Sequence, residues 1–154
     1  MKIISGGQTG ADQAGLDVAL SLGLDYGGAL PKGRKTETGP LSMKYDRMTE
    51  LQSPSYPKRT KKNILDADVT LILTAGKISG GSALTLREAR KAGKSVLHIN
   101  LNSQSEKTAA KVIRSWLKKT QPAVLNVAGS RESKAPGIRE KVYQVLTKTL
   151  NFCD

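Results

Sequence analysis

The stretch Lys2-Ile3-Ile4-Ser5-Gly6-Gly7-Gln8-Thr9-Gly10-Ala11-Asp12 decides the fold. A short apolar run enters a turn with glycine at 6, 7 and 10, and an amphipathic segment follows to Leu22. Residues 2–5 read as a buried strand, and 10–22 as a helix with Ala14, Leu16, Ala19, Leu20 and Leu22 inward, closed by Gly23. Thr9 and Asp12 stand at capping-box spacing, so the helix is expected to start there. A helix N-terminus fed by glycines offers free N–H groups and a partial positive charge, a ready site for a phosphate or other anion. The plainer reading is a tight strand-to-helix connection with no ligand.

The same device recurs. Val69–Thr74 is a near-continuous apolar run, typical of a central strand covered on both faces. It enters Ala75-Gly76-Lys77-Ile78-Ser79-Gly80-Gly81-Ser82, and a helical pattern follows over 83–92 with Ser82 as its expected cap. Further strands are read near Tyr26–Leu30, at Ser95–Ile99 and at Ala123–Ala128. Helices are read at 58–66, after a Ser103/Glu106 capping box, and from about Pro136. The fourth helix carries Ala109, Val112, Ile113, Trp116 and Leu117 inward, and the fifth Ile138, Val142, Val145, Leu146 and Leu150.

Strand and helix thus alternate five times. The pattern predicts an α/β, Rossmann-like three-layer αβα sandwich on a mostly parallel five-stranded sheet, as one domain over 1–154. Strand order 2-1-3-4-5 is expected, because it places both Gly-Gly turns at one switch-point crevice. In that order the fifth-strand loop lies ~14 Å from strand 1, at ~4.8 Å per strand. Arg131 would then need an extended ligand, a bent loop or a neighbouring subunit to reach the site.

Charge is the outlier of composition: 25 Lys and Arg against 13 Asp and Glu give +12. Residues 31–62 hold nine bases (Lys32, Arg34, Lys35, Lys44, Arg47, Lys58, Arg59, Lys61, Lys62) and three acids. Such an excess attracts phosphorylated metabolites, nucleic acid or acidic surfaces. Most of these lysines read simply as a solvated face. From Pro31 to Pro57 no period is sustained, and a loop of that length is functional or a surface excursion. Lys32, Arg34 and Tyr45 lie in it, able to fold over an anion. Arg59 and Asn63 share a helix face.

The single Cys153 and the single His98 cannot make a metal cage, so no protein-ligated metal is expected. His98 reads as a strand residue rather than a catalyst. No run approaches a membrane span, and a reducing, cytoplasmic setting is expected from the cysteine content.

GGQTGAD at 6–12, LPKGR at 30–34, Arg59-Thr60 with Asn63, ISGGSALT at 78–85 and LNVAGSRES at 125–133 together resemble the molybdenum carrier protein family. That family belongs to a Rossmann-like superfamily with the LOG "lysine decarboxylase-like" phosphoribohydrolases and the DprA proteins. The resemblance implies a binder of the molybdenum cofactor (molybdopterin), whose pterin carries a phosphate and a dithiolene that supplies its own sulfur ligands. The sequence departs from the LOG loop PGGxGTxxE: there is no Pro, Ala83 replaces the third Gly, and one extra residue precedes Thr85. The insertion turns Thr85 and Glu88 by ~100° on a helix, which argues against a catalytic Glu88. No GK[ST] follows the first turn, so the loop is not a P-loop.

The expected function is a non-catalytic carrier of a phosphate-bearing small molecule. Gly6, Gly7, Gly10, Gly80 and Gly81 would give close backbone approach, and Gln8, Thr9, Ser82 and Thr85 hydrogen bonds. Asp12 would cap or touch the ligand, and Lys32, Arg34, Arg59 and Arg131 would neutralise it. Two alternatives stand beside it. One is a LOG-type nucleotide phosphoribohydrolase using Glu88 and Arg59. The other is a DprA-type single-stranded DNA binder, disfavoured by aromatics that do not interleave with the bases. A homodimer or larger assembly is expected from relatives of the fold.

Overall fold

The computed structural model describes residues 1–151; Cys153 lies outside them. Its strands are β1 (Lys2–Ser5), β2 (Asp25–Gly27), β3 (Val69–Thr74), β4 (Ser95–Asn100) and β5 (Val124–Gly129). Its helices are α1 (Ala11–Leu22), α2 (Tyr56–Asp66), α3 (Gly80–Lys91), α4 (Glu106–Thr120) and α5 (Ile138–Leu150). The five strands form one all-parallel sheet. Helix α1 packs on α5 and α5 on α4, while α2 packs on α3, giving the expected αβα layering.

The strand order is β2-β1-β5-β3-β4, not 2-1-3-4-5. β5 is inserted between β1 and β3, pairing Ile3 with Leu125 on one side and Leu71 with Val127 on the other. Its burial explains the place: Leu125, Asn126 and Val127 are all buried, whereas β4 is mostly half-buried and takes the edge. Alternation of elements predicts parallel strands but leaves their order open. The consequence for the site is direct, because the loop after β5 now emerges between the two Gly turns.

Local chemistry sets the helix bounds. Ser55 caps α2, accepting from Lys58 N–H, with Pro57 in the first turn. Ser105 caps α4 by accepting from Thr108 N–H, while Ser103 donates to the Asn100 carbonyl instead of capping. Helix α3 starts at Gly80, so Ser82 lies inside it and Ser79 takes the cap position. Helix α5 starts two residues after Pro136, at Ile138. Two residues expected to point inward do not: Leu20 and Val112 are exposed, whereas Val18 is fully buried in α1. Trp116 is half-buried, with its indole N–H donating to Ser95 Oγ. His98 Nε2 lies 2.7 Å from Thr74 Oγ1, and Thr74 gives its own proton to the Gly76 carbonyl. His98 therefore braces the loop after β3, and burial lowers its pKa.

Segment 31–57 is less irregular than its composition suggests. A 3-10 turn spans Lys32–Arg34, Lys35–Thr36 pairs with Gly39–Pro40, and Ala29–Leu30 pairs in parallel with Thr49–Glu50. The segment lies over the sheet's carboxyl edge as a strap.

Candidate functional site

The loops after β1, β5 and β3 emerge side by side and enclose a cleft of about 140 Å³. Helix α2 closes one side with Arg59, Thr60 and Asn63. Gly6, Gln8 and Asp12 come from the first loop, and Lys77, Ser79, Gly81, Ser82 and Thr85 from the second loop and α3. Asn126 through β5, and Ser130, Arg131 and Lys134 beyond it, complete the wall. Arg131 thus reaches the cleft from its own chain with no neighbouring subunit.

Four amides of the first glycine loop are spent inside the fold. Gly7 N–H donates to Ser5 Oγ, Gln8 N–H to Asp12 Oδ2, Thr9 N–H to Gln8 Oε1 and Ala11 N–H to the Ser130 carbonyl. Gly10 is the N-cap of α1, with φ 82° and no side-chain cap, so Thr9 and Asp12 form no capping box. Gly10 is required by close approach: a Cβ there would overlap the Ser130 carbonyl oxygen and lie 2.8 Å from Glu132 N. Gly7 packs against Leu30 and Leu41 of the strap. These glycines serve backbone-to-backbone and backbone-to-strap contact.

The space beside Gly6 is filled by Arg59, whose Nη1 donates to the Gly6 carbonyl. The same nitrogen lies 3.9 Å from Asp12 Oδ2. Both side chains are buried, and burial pushes the Asp12 carboxyl up to about 6 against the downward pull of Arg59, the Gln8 N–H and Arg131. Burial also lowers the Arg59 pKa, against the pull of Asp12.

Gln8 is fixed by its oxygen. Oε1 accepts from Thr9 N–H and, at 2.9 Å, from Glu37 N–H of the strap. Two backbone donors on one atom leave no ambiguity in the amide's orientation. Its Nε2 is buried and has no hydrogen-bond partner. An unpaired buried donor costs about 1–3 kcal/mol, so this group is poised to gain from an acceptor.

The second glycine loop is different. Ser79 gives α3 no side-chain cap; Ser82 and Ala83 N–H turn back to the Ser79 carbonyl, and Thr85 Oγ1 donates to the Gly81 carbonyl. Lys77, Arg131, Lys134 and Arg59 line the same cleft as this first turn, and a Cβ on Gly80 would lie 3.6 Å from Lys134 Nζ. Four cations and one carboxylate, Asp12, line the cleft together with Gly81, Ser82 and Thr85 of the first turns of α3.

The strap contributes through Glu37, not through Lys32 or Arg34. Glu37 accepts from Thr9 Oγ1, Ser133 N–H and Ser133 Oγ, and its Oε2 lies 3.7 Å from Arg131 Nη1. Burial pushes its pKa up, but Ser133, Thr9 and Arg131 more than offset this and hold it below the usual value. Arg34 spends its guanidinium on the carbonyls of Leu41, Ser42 and Tyr45, and Lys32 is exposed on its 3-10 turn. Neither lines the cleft. Tyr45 is buried, its hydroxyl held between Asp17 and Arg139, not over an anion. Tyr56 lies under Lys35, Arg59 and Arg131 at 4.5–5.7 Å, tying the two cleft arginines to the strap.

Of the residues singled out from the sequence, Gly6, Gln8, Asp12, Arg59, Gly81, Ser82, Thr85 and Arg131 line the cleft. Gly7, Thr9, Gly10 and Gly80 stand next to it, in the loops that shape it. Glu88, the acid of the glycosidase alternative, lies two turns along α3 and outside the lining. The sequence reading did not single out Lys77, Ser79, Asn126 or Lys134. Asn63 was placed on the face of Arg59, and its amide holds the Ala29 N–H and carbonyl in register. Among the described residues no group of three or more His, Cys, Asp or Glu is placed to hold a metal. No described helix is long and apolar enough to cross a membrane.

A cleft lined by basic residues, at the carboxyl ends of a parallel sheet and between a strand-to-helix glycine turn and a basic loop, stands where Rossmann-like α/β proteins carry their sites. The chain belongs to the circularly permutated YpsA SLOG family, whose model matches residues 3–150. It is similar to a protein of Syntrophus aciditrophicus SB solved at 1.45 Å as a candidate molybdenum carrier. The two are 46% identical, with 97% of this chain and 94% of that one covered, at a TM-score of 0.94. No curated protein matches the chain.

Proposed function

We propose that this protein is a carrier that holds a phosphate-bearing small molecule of the molybdenum cofactor class, with the phosphate at the first turn of α3. The observation that carries the reading is that uncapped turn, lining one cleft with Lys77, Arg131 and Lys134. Free amides and flexible ammonium groups suit a phosphate's several oxygens, and the Arg131 guanidinium adds a planar fork. The name given to the Syntrophus protein supplies the molybdenum.

The donor set fits the cofactor's phosphate. Ser82 and Thr85 lie in the first turns of α3 for hydrogen bonding, and Gln8 Nε2 has no other acceptor. A cleft of about 140 Å³ is smaller than the ~300–1,000 Å³ that encloses a drug-sized ligand, so a pterin would rest at its mouth. The cofactor's dithiolene supplies the sulfur ligands to molybdenum, and this chain's residues supply charge and hydrogen bonds to the phosphate.

Native mass spectrometry of freshly purified protein, with pterin fluorescence and elemental molybdenum on the same sample, tests the reading. A bound mass of a phosphorylated pterin is expected. A co-purifying mononucleotide with no pterin would overturn it.

A further inference from the structure

Arg131 lines the cleft, yet its side chain makes no hydrogen bond among the described residues. It is 33% exposed, and two groups of the strap hold it. Glu37 Oε2 lies 3.7 Å from Nη1, and the centroid of the Tyr56 ring lies 5.7 Å from the guanidinium carbon. Arg59 is the contrast. Its Nη1 donates to the Gly6 carbonyl and lies 3.9 Å from Asp12 Oδ2, and its guanidinium rests 5.2 Å from the same ring. One cleft arginine is thus fixed by hydrogen bonding. The other keeps every N–H donor of its fork unspent and is held by an aromatic ring and a carboxylate.

Tyr56 is placed to do this. It is the first residue of α2, a helix capped by Ser55 with Pro57 in its first turn, so the ring stands on a fixed piece of backbone. Its hydroxyl makes no hydrogen bond among the described residues, so the ring is the part in use.

We propose that Tyr56 is a positioning residue for the anion site: its ring, beside Glu37, holds Arg131 in the cleft wall with the guanidinium fork free for a bound oxyanion. The proposal rests on the anion-binding reading above and adds to it a residue that does not itself line the cleft. The effect is entropic. An arginine left to rotate must be ordered when the anion arrives, whereas one already seated on an aromatic ring has lost that freedom beforehand. Tyr56 also separates position from charge. Removing Glu37 would take a negative charge from beside an anion site and help binding for that reason alone. Replacing Tyr56 leaves the charge of the cleft as it was.

The test is an NMR titration of the whole chain with inorganic phosphate at constant ionic strength. The proteins compared are wild type, Tyr56→Phe, Tyr56→Leu, Arg131→Ala and the variant carrying both Tyr56→Leu and Arg131→Ala, each checked for fold by circular dichroism. Tyr56→Leu is expected to weaken phosphate binding roughly three- to tenfold, the worth of ordering one rotamer-rich side chain. Tyr56→Phe keeps the ring and should stay within about twofold of wild type. With Arg131 already replaced by alanine, Tyr56→Leu should change the affinity by less than about twofold, because its effect runs through Arg131. A further readout needs no variant: the Arg131 Nε order parameter of the free wild-type protein should lie above about 0.6. Equal affinities for Tyr56→Leu and wild type, an undiminished effect in the Arg131→Ala background, or a freely mobile Arg131 side chain overturns the positioning role and leaves the anion site standing. Absence of saturable phosphate binding by wild type removes both.

Discussion

Replacing Arg59 by methionine is expected to cost about 3–5 kcal/mol of stability, the range for breaking a buried ion pair by removing one partner. The guanidinium satisfies the Gly6 carbonyl and faces a carboxylate from which water is excluded. Methionine fills most of the space and does neither. For a chain of this size each kcal/mol moves Tm by ~2–4 °C, so a fall of roughly 6–20 °C should be seen. The pH dependence has a definite sign. Asp12 is already raised to about 6 from 3.8 by burial, so the folded state holds its proton more tightly than the unfolded chain. Stability from this group is fully present below the unfolded value and is lost as pH rises through the folded one. Without Arg59 the folded pKa climbs further, and the variant should be weakest near neutrality and recover on acidification towards pH ~4. Arg59→Lys keeps the charge without the fork and should lose less. A thermal melt of Arg59→Met within a degree or two of wild type at neutral pH would contradict the account of this pair.

Gly10→Ala is the second large effect, of about 2–4 kcal/mol. The backbone at Gly10 has φ 82°, and an added methyl would fall on the Ser130 carbonyl that accepts from Ala11 N–H. Both obstacles are backbone, so no side-chain rotation relieves them. The loop after β5 must lift away from α1, and Arg131 lifts with it, away from Glu37 and Tyr56. Stability and anion affinity should therefore fall together. Gly33→Ala is the control: its φ is also positive, at 81°, but nothing lies within 4 Å, so only the backbone cost remains. Equal losses for the two substitutions would show that the contact with Ser130 is unimportant.

The layers of the fold were legible because each segment carries its own period. Val69–Thr74 is apolar throughout and buried throughout, and Ala109 and Ile113 of α4 face inward as spaced. Strand order was not legible, because β5 reads the same whether it closes the sheet or divides it. Only the burial of Leu125, Asn126 and Val127 on pairing with both neighbours decides that. The two glycine turns look alike as sequence, yet one is internally satisfied and the other open. The difference lies in where Asp12, Gln8 and the Ser130 carbonyl come to rest, which depends on β5 standing next to β1. Lys77 and Lys134 were invisible among 25 basic residues, since nothing local distinguishes a cleft lysine from a solvated one. Arg34 misled for the opposite reason: it stands in a basic motif, but its Nε and Nη2 are spent on three loop carbonyls.

The central claim is that an oxyanion docks on the first turn of α3. Amide chemical shifts during a titration with inorganic phosphate test it residue by residue. The account predicts that Gly80, Gly81 and Ser82 move most and saturate together, with the Gln8 side-chain amide following them. Shifts confined to Gly7, Gln8 and Thr9 backbone amides, or spread over the exposed lysines without saturation, would contradict it.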